Sequence, residues 1–298
     1  FMSFLASLGA LELGFIYSLV ALGVFISFRI LRFPDLTVDG TFATGGAVAA
    51  LMISQGFDPF LASLCAALAG AFAGAITGWL NTKLGIMDLL ASILMMTALY
   101  SINLRIMGGP NIPLIFNDTV FTVTQPSVMA DHLWRPVMLG FIVLLVWVLS
   151  NLYFSTRSGL AMRATGANLR MARAQGVTTD RSVVGGMALS NGMVALGGAL
   201  FAQSQGGADI SMGIGTIVIG LAAVILGQSV IHARRFAVIL LSVVIGAIVY
   251  RFFIALALNS DFIGLKAQDL NLVTALLVTI ALVLPKLKKL IKKRERNA

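Results

Sequence analysis

Nine apolar runs dominate this sequence, and they constrain its fold more than any other feature. A transmembrane α-helix needs about 20 apolar residues to cross the hydrocarbon core of a bilayer. Backbone groups in lipid must be hydrogen-bonded within the protein, so each run predicts a helix. We therefore predict an all-α, polytopic membrane helix bundle of about nine spans, forming a single transmembrane domain over residues 1–298. The approximate spans are Leu5 to Phe28, Leu36 to Ile53, Pro59 to Leu80, Met87 to Ile106, Pro136 to Phe154, Val183 to Gln203, Ile214 to Ile231, Phe236 to Leu256 and Leu270 to Leu284.

The composition agrees with a membrane protein. Hydrophobic residues make up 58% of the chain and charged residues only 11%, whereas soluble domains average roughly 25% charged residues. The formal net charge of +9 would suggest nucleic-acid binding in a soluble protein. Here the basic residues lie mostly in short loops and in a tail at residues 286–298, so the charge sets the membrane orientation and we expect no nucleic-acid partner.

The orientation follows from the positive-inside rule. With the basic tail in the cytoplasm, 17 of the 21 Lys and Arg residues fall in cytoplasmic segments, and only Arg105, Arg135, Arg251 and Lys266 fall elsewhere. An odd number of spans then places the N-terminus outside and the C-terminus inside.

The second run is the most polar of the nine. It opens with DLTVDGTFATGG, which is too polar and too rich in glycine for a helix that faces lipid. The segment predicts either a continuous buried span or a helix broken into two pieces that line a cavity.

A polar segment, Ser155 to Ser182, separates the fifth and sixth runs and holds five arginines against a single acid, Asp180. Ser158 is expected to cap a short helix that Gly166 ends, and Asn168 a second helix that Gly176 ends. In the second helix Leu169, Ala172 and Gly176 share one face, which suits the docking of a partner. The alternative is a basic loop that rests on anionic lipid.

Polar residues inside the runs are candidates for a transport path, because a charge at the bilayer centre costs about 2.5–3.5 kcal/mol unless it faces protein or water. Glu12 and Asp39 are the intramembrane acids, and helical spacing aligns polar residues in the second and fourth spans. Hydrogen bonding between helices is the alternative role for each of them. The candidates for the path are Thr37, Asp39, Thr41, Thr44, Ser92, Met96, Leu99, Asn103 and Asn191.

Small residues recur every four positions in the third span, at Ala66, Gly70, Gly74 and Gly78. This spacing predicts a ridge against which another helix backbone packs closely.

The sequence offers no basis for catalysis or metal binding. It has one cysteine, Cys65, and two histidines, and it contains no GxxxxGK[ST] loop that would cradle the phosphates of a nucleotide. We therefore expect neither an enzyme nor a metal site nor a bound cofactor.

The longest loop on the predicted outer face runs from Gly108 to Trp134. Within it, IPLIF and TVFTVTQ flank Asn117 and Asp118, which predicts a local hairpin. Such a hairpin would meet an extracytoplasmic partner or form a lid over the helices.

Three stretches carry a family resemblance. LELGFIYSLVALGVFISFRILRFPDLTVDGTFATGGAVAA, from Leu11 to Ala50, resembles the opening of permease subunits of ABC importers of the branched-chain amino acid and ribose type. LASILMMTALYSINLRIMGGPNIPL, from Leu90 to Leu114, is similar to the branch linked to tryptophan- and tyrosine-type uptake. RATGANLRMARAQGVTTDR resembles the coupling segment of these permeases.

The resemblance implies a permease, the transmembrane subunit of an ATP-driven importer in the cytoplasmic membrane of a prokaryote. Two copies would pair as a homodimer, cytoplasmic ATPase subunits would bind the ATP, and an extracytoplasmic binding protein would deliver a small solute, with an aromatic amino acid favoured. The coupling segment would be residues 155–182, and the residues implied for ATPase docking are Leu169, Arg170, Met171, Ala172, Arg173, Ala174 and Gly176.

A proton-coupled secondary transporter that uses Glu12 and Asp39 is the competing interpretation. A capped docking helix has no function in such a transporter, and the inverted repeats typical of many of them are not evident in this sequence.

Overall fold

A computed structural model describes residues 4–126, 130–231 and 233–258, together with residues 276 and 279. The predicted ninth span therefore falls almost wholly outside the described residues, and the basic tail at 286–298 lies outside them. The helices are α1 (Phe4–Val24), which continues as a π-helix (Phe25–Leu31), α2 (Thr37–Ser54), α3 (Pro59–Leu84), α4 (Asp88–Met107), α5 (Val120–Val123), α6 (Asp131–Ser155), α7 (Arg157–Ala167), α8 (Leu169–Ala174), α9 (Thr179–Gln205), α10 (Thr216–Val230) and α11 (Phe236–Leu258), and two strands are β1 (Asn111–Pro113) and β2 (Gly207–Asp209).

The all-α membrane architecture is confirmed. Six helices in the described part of the chain are long and apolar enough to cross a membrane, and they include α1 with its π-helical extension, α3, α4, α6, α9 and α11. Helices α2 and α10 match two further predicted spans but are shorter or more polar. Eight of the nine runs thus coincide with helices, and the total of nine stays a prediction.

Helix α2 lies at the centre of the bundle, in contact with α3, α4 and α9. Of the two alternatives for the second span, the structure shows the continuous one: α2 runs unbroken over 18 residues, 13 of them buried. Its polarity is satisfied inside the protein: Thr44 Oγ1 donates to the carbonyl of Gly40 at 2.9 Å, one turn back. The irregular backbone lies instead before α2, in the π-helix and at Arg32, which has a left-handed φ of 57°.

Helices α2 and α9 approach each other backbone to backbone. A Cβ atom at Gly45 would lie 1.9 Å from the carbonyl oxygen of Ala195, and a Cβ at Gly198 would lie 2.0 Å from that of Phe42. The small-residue ridge of α3 also packs on α9, since a Cβ at Gly74 would lie 2.2 Å from the Met187 oxygen. Only glycine allows these distances, so the predicted close-packing ridge is confirmed.

One end of the bundle carries α7, α8 and residues 231 and 233–235, and we call it the basic end. Here Arg163 lies over the ring of Phe236, 4.5 Å from its centroid. Gly166 presses on the π-helix, where a Cβ would lie 1.7 Å from the oxygen of Ile30. These contacts fix α7 against the first span.

The opposite end carries β1, β2 and α5, and we call it the ladder end. The local hairpin predicted around Asn117 and Asp118 is wrong, because β1 pairs antiparallel with the distant β2. The TVFTVTQ segment forms the short helix α5, which Thr119 and Thr122 cap reciprocally. Val120 and Phe121 are buried, so packing against the bundle, rather than the local turn, decides the conformation of this loop.

Candidate translocation cavity and coupling segment

A cavity of about 350 Å³ opens between α2, α4 and the turn that precedes α10. Three of the predicted path residues, Asp39, Met96 and Asn103, line it. Thr97 and Tyr100 extend the α4 wall, which the sequence analysis did not assign. The remaining lining residues are Gly40, Ala43, Ile210, Gly213 and Ile214. The wall is therefore largely apolar, with a carboxylate at one point and a phenol ring at another.

Asp39 joins α2 to α10. Its Oδ1 accepts a hydrogen bond from the backbone N–H of Ile217 at 2.8 Å, and its Oδ2 accepts one from Gly215 at 3.1 Å. A carboxylate at a helix N-terminus satisfies free N–H groups and complements the positive end of the helix dipole. The cap is remote in sequence, which is why the sequence analysis found no partner for this residue.

Asn103 forms the polar part of the α4 wall and is 1% exposed. Its Nδ2 donates to the carbonyl of Gly40 at 3.3 Å, so the side chain bridges α4 and α2. Its Oδ1 is buried and has no hydrogen-bond partner among the described residues. The cavity wall thus carries a carbonyl acceptor whose hydrogen-bonding capacity is unused.

Other predicted path residues form hydrogen bonds inside the bundle instead. Asn191 donates from Nδ2 to Asp35 Oδ2 at 2.8 Å, and Thr41 Oγ1 donates to Asn191 Oδ1 at 2.8 Å. The hydroxyls of Thr37 and Thr77 lie 3.1 Å apart. These buried groups tie α2, α3 and α9 together, which matches the alternative role stated above.

Thr44, Ser92 and Leu99 are also buried away from this cavity. Ser92 donates to the carbonyl of Leu89 at 2.9 Å. Asp35 was missed by the sequence analysis, although an acid immediately before a polar span was a usable signal.

Glu12, the other intramembrane acid, lies toward the ladder end of the bundle. Its Oε1 accepts a hydrogen bond from Ser204 Oγ at 2.7 Å. Arg135 donates to the carbonyl of Ser204 at 3.2 Å and pairs with Asp131 at 2.8 Å. Glu12 and Asp39 thus contact different partners, and each has a structural role in joining helices.

The polar segment between α6 and α9 forms the two short helices that were predicted. Asn168 caps α8, since its Oδ1 accepts from the N–H of Met171 at 3.0 Å, and Gly176 follows α8 with a φ of 81°. Two details differ. Thr156 rather than Ser158 caps α7, and Gly166 lies within α7 because it packs against the π-helix.

The side chains of helix α8 differ in how far they are exposed. Leu169 is 45% exposed and Met171 is 63% exposed, whereas Ala172 is 4% exposed and faces its own chain. Ala172 was predicted on the docking face, and the structure turns it inward because the next segment returns to α9. The exposed positions of the predicted docking set are Leu169, Arg170, Met171, Arg173, Ala174 and Gly176.

Ion pairs hold α8 to the start of α9. Arg173 donates to Thr179 at 2.9 Å and to Asp180 at 3.2 Å, and Lys83 at the end of α3 lies 3.5 Å from Asp180.

Within the described ranges, no group of three or more His, Cys, Asp or Glu side chains is arranged to hold a metal ion.

Membrane-length helices around a cavity lined by few polar groups are an architecture suited to a membrane transport protein. The chain belongs to the family described as branched-chain amino acid transport system / permease component, whose profile matches residues 7–284. It is 36% identical to the tyrosine transport system permease protein of Clostridioides difficile over 268 residues, which cover 88% of this chain and 85% of that protein. As a permease component, the chain is a transport subunit rather than an enzyme.

Less similar relatives include a permease named for a sugar. The chain is 23% identical to the ribose import permease protein RbsC of Escherichia coli K12, over 84% of this chain and 76% of that protein. Among solved structures, PsaBC from Streptococcus pneumoniae in complex with Fab aligns with a TM-score of 0.51 at 15% identity, covering 93% of this chain and 89% of that chain. This last likeness concerns the fold alone.

Proposed function

We propose that this chain is the transmembrane subunit of an ATP-driven importer that moves an aromatic amino acid across the cytoplasmic membrane of a prokaryote by alternating access. The observation that carries the proposal is the family membership together with the 36% identity to a tyrosine transport system permease. The ribose permease is less similar, at 23% identity, so an amino acid is the favoured substrate.

The cavity between α2 and α4 suits such a substrate. Its wall is largely apolar, and Tyr100 and Met96 offer surface for an aromatic ring. Aromatic rings pack favourably on one another and on methionine sulfur, by about 0.5–1.5 kcal/mol per pair. Asp39, Met96 and Asn103 would therefore form one wall of the translocation path.

The partners follow from the same assignment. Cytoplasmic ATPase subunits would dock on α7 and α8 and bind the ATP, so the permease itself needs no cofactor. A second copy of this chain would complete the path as a homodimer, and an extracytoplasmic substrate-binding protein would dock at the ladder end. The N-terminus would then lie outside and the C-terminus inside.

Uptake in proteoliposomes that contain the permease, its ATPase and its binding protein tests the proposal. We expect ATP-dependent uptake of tyrosine or tryptophan well above that of ribose. Thr97→Trp, which fills the cavity from its exposed wall, should reduce uptake at least about tenfold. Leu94→Trp is the matched control, because Leu94 is also exposed on α4 but does not line the cavity.

Glu12→Gln and Asp39→Asn distinguish the proposal from proton coupling. Each substitution keeps part of the hydrogen bonding but cannot titrate, so ATP-dependent uptake should stay largely intact. Uptake that runs on a pH gradient without ATP, and that either substitution abolishes, would establish a secondary transporter instead.

A further inference from the structure

A second, larger space lies on the outside of the bundle. It is a groove of about 620 Å³ between α3, α6 and α9, well away from the cavity that Asp39 lines. Gly185, Ala188 and Gly192 of α9 form its floor, and no atom lies within 4 Å of a Cβ built at Gly185. Leu68 of α3 and Leu149 of α6 stand in its walls. The groove is apolar and open to the surroundings of the bundle.

The groove runs along α9 toward the basic end, where its chemistry changes. Arg181 precedes Gly185 by one helical turn on the same face, and the two positions are therefore about 5–6 Å apart. Arg181 is exposed, and it forms no hydrogen bond or ion pair within the described part of the chain. Its neighbour Asp180 is already engaged by Lys83 and Arg173.

Tyr153 lines the groove near the same end, and Arg157 follows it in the sequence at the start of α7. Tyrosine favours the boundary between hydrocarbon and headgroups because its ring is apolar and its hydroxyl is polar. Along its length the groove therefore offers apolar side chains, then a tyrosine, then an arginine. A phospholipid would match this order with its acyl chain, its interfacial region and its phosphate.

We infer that this groove is a binding site for an anionic phospholipid of the leaflet that faces the basic end. One acyl chain lies on the glycine-rich floor of α9, and the headgroup phosphate accepts hydrogen bonds from the Arg181 guanidinium. Arginine binds phosphate through a planar fork of donors, and basic pockets between transmembrane helices are known to select anionic headgroups.

A second copy of this chain is a poorer occupant. It would need to offer an unpaired acid to Arg181 at the basic end. Among the described residues, the acids toward that end are Asp35, which is buried and accepts from Asn191 and Thr37, Asp88, which accepts from Asn81, and Asp180, which is paired. The charge of Arg181 is therefore complementary to a phosphate but not to another described surface of this protein.

Native mass spectrometry of the purified full-length permease tests the site. The probes are dioleoylphosphatidylglycerol and dioleoylphosphatidylcholine, added at equal concentrations to the detergent-solubilised protein. We expect phosphatidylglycerol to bind more tightly, and Arg181→Gln to weaken it at least about fivefold, as the loss of one basic residue near a membrane surface predicts. Arg181→Lys keeps the charge but loses the planar fork, so it should weaken binding less than Arg181→Gln.

Two further variants locate the site. Gly185→Leu fills the floor without a backbone clash and should remove the bound lipid at an unchanged melting temperature. Arg170→Gln, at an exposed arginine of α8 that does not line the groove, should leave binding unchanged. Equal binding of the two lipids, an unaffected Arg181→Gln variant, or a change from dimer to monomer in Gly185→Leu without lipid loss would each overturn the inference.

Discussion

At the scale of single residues, the polar groups in the membrane are explained by their partners. Asp39 is an intramembrane acid in the sequence, and in the structure it caps α10 through two backbone N–H groups. Asn191 connects Asp35 to Thr41 through two side-chain hydrogen bonds. Hydrogen-bond partners offset much of the free-energy cost of burying such groups. The central helix is therefore both polar and stable.

Removing the cap on α10 should destabilise the permease. Asp39→Ala leaves the N–H groups of Gly215 and Ile217 without an acceptor and should cost about 1–2 kcal/mol of stability. Asp39→Asn keeps one acceptor oxygen and should cost less. The melting temperature of the detergent-solubilised protein measures both effects.

Asp118→Asn is the control for the cap, because Asp118 is exposed on the loop of the ladder end. It should melt with the parent protein. Equal stability of the Asp39→Ala variant and the parent would contradict a capping role.

A methyl group at the crossing of α2 and α9 should be poorly tolerated. Gly198→Ala would place a Cβ 2.0 Å from the Phe42 carbonyl oxygen, so the helices must separate, at a cost of at least about 2 kcal/mol. Gly9→Ala in α1 meets no atom within 4 Å and should not destabilise the protein. Melting temperatures of the two variants would show whether the close approach is real; similar values would argue against it.

At the scale of elements, α7 and α8 combine a fixed inner face with an exposed outer face. Gly166 fixes α7 against the π-helix, and Ala172 fixes α8 against its own chain. Leu169 and Met171 remain exposed at 45% and 63%. An exposed apolar pair on a helix framed by arginines suits a protein partner, because apolar anchors commonly carry the energy of an interface.

Substitutions on the two faces of α8 should have different effects. Leu169→Arg should abolish co-purification of the ATPase while the permease keeps its melting temperature, since only the exposed face changes. Ala172→Arg should lower the melting temperature as well, because it places a charge where the side chain is 4% exposed. A detergent pull-down combined with a thermal melt separates them. Undiminished binding in the Leu169→Arg variant would contradict the docking assignment.

At the scale of the whole molecule, the basic end and the ladder end are chemically distinct. The basic end carries α7, α8 and Lys83, whereas Asp58, Asp118 and Asp131 lie at the other end. This asymmetry predicts the basic end in the cytoplasm.

Cysteine labelling tests that orientation in intact cells, in a Cys65→Ala background. Cysteine at Phe116, which is 99% exposed at the ladder end, should react with a membrane-impermeant maleimide. Cysteine at Arg170, exposed on α8, should react only after permeabilisation. The reverse pattern would invert the topology.

Much of the helical framework was predictable, because the physical signal lies within each segment. A run of apolar residues must form a helix in lipid whatever surrounds it, and caps such as Asn168 and Gly176 act on their own helix. The ridge through Gly74 was also readable, since its spacing is a property of one helix. Ala172 was placed on the wrong side because the return of the chain to α9 is not encoded in the spacing of α8.

The sequence by itself determined the membrane class, the positions of the described spans and the two short helices of the coupling segment. Only the tertiary structure decided that α2 is continuous, that β1 pairs with β2, and that Asp39 caps α10 from 176 residues away. It also places the buried Arg251 4.0 Å from the Tyr17 ring centroid. Helix formation in lipid depends on local hydrogen bonding, whereas polar partners are chosen by which helices meet, and that choice depends on the packing of the whole bundle.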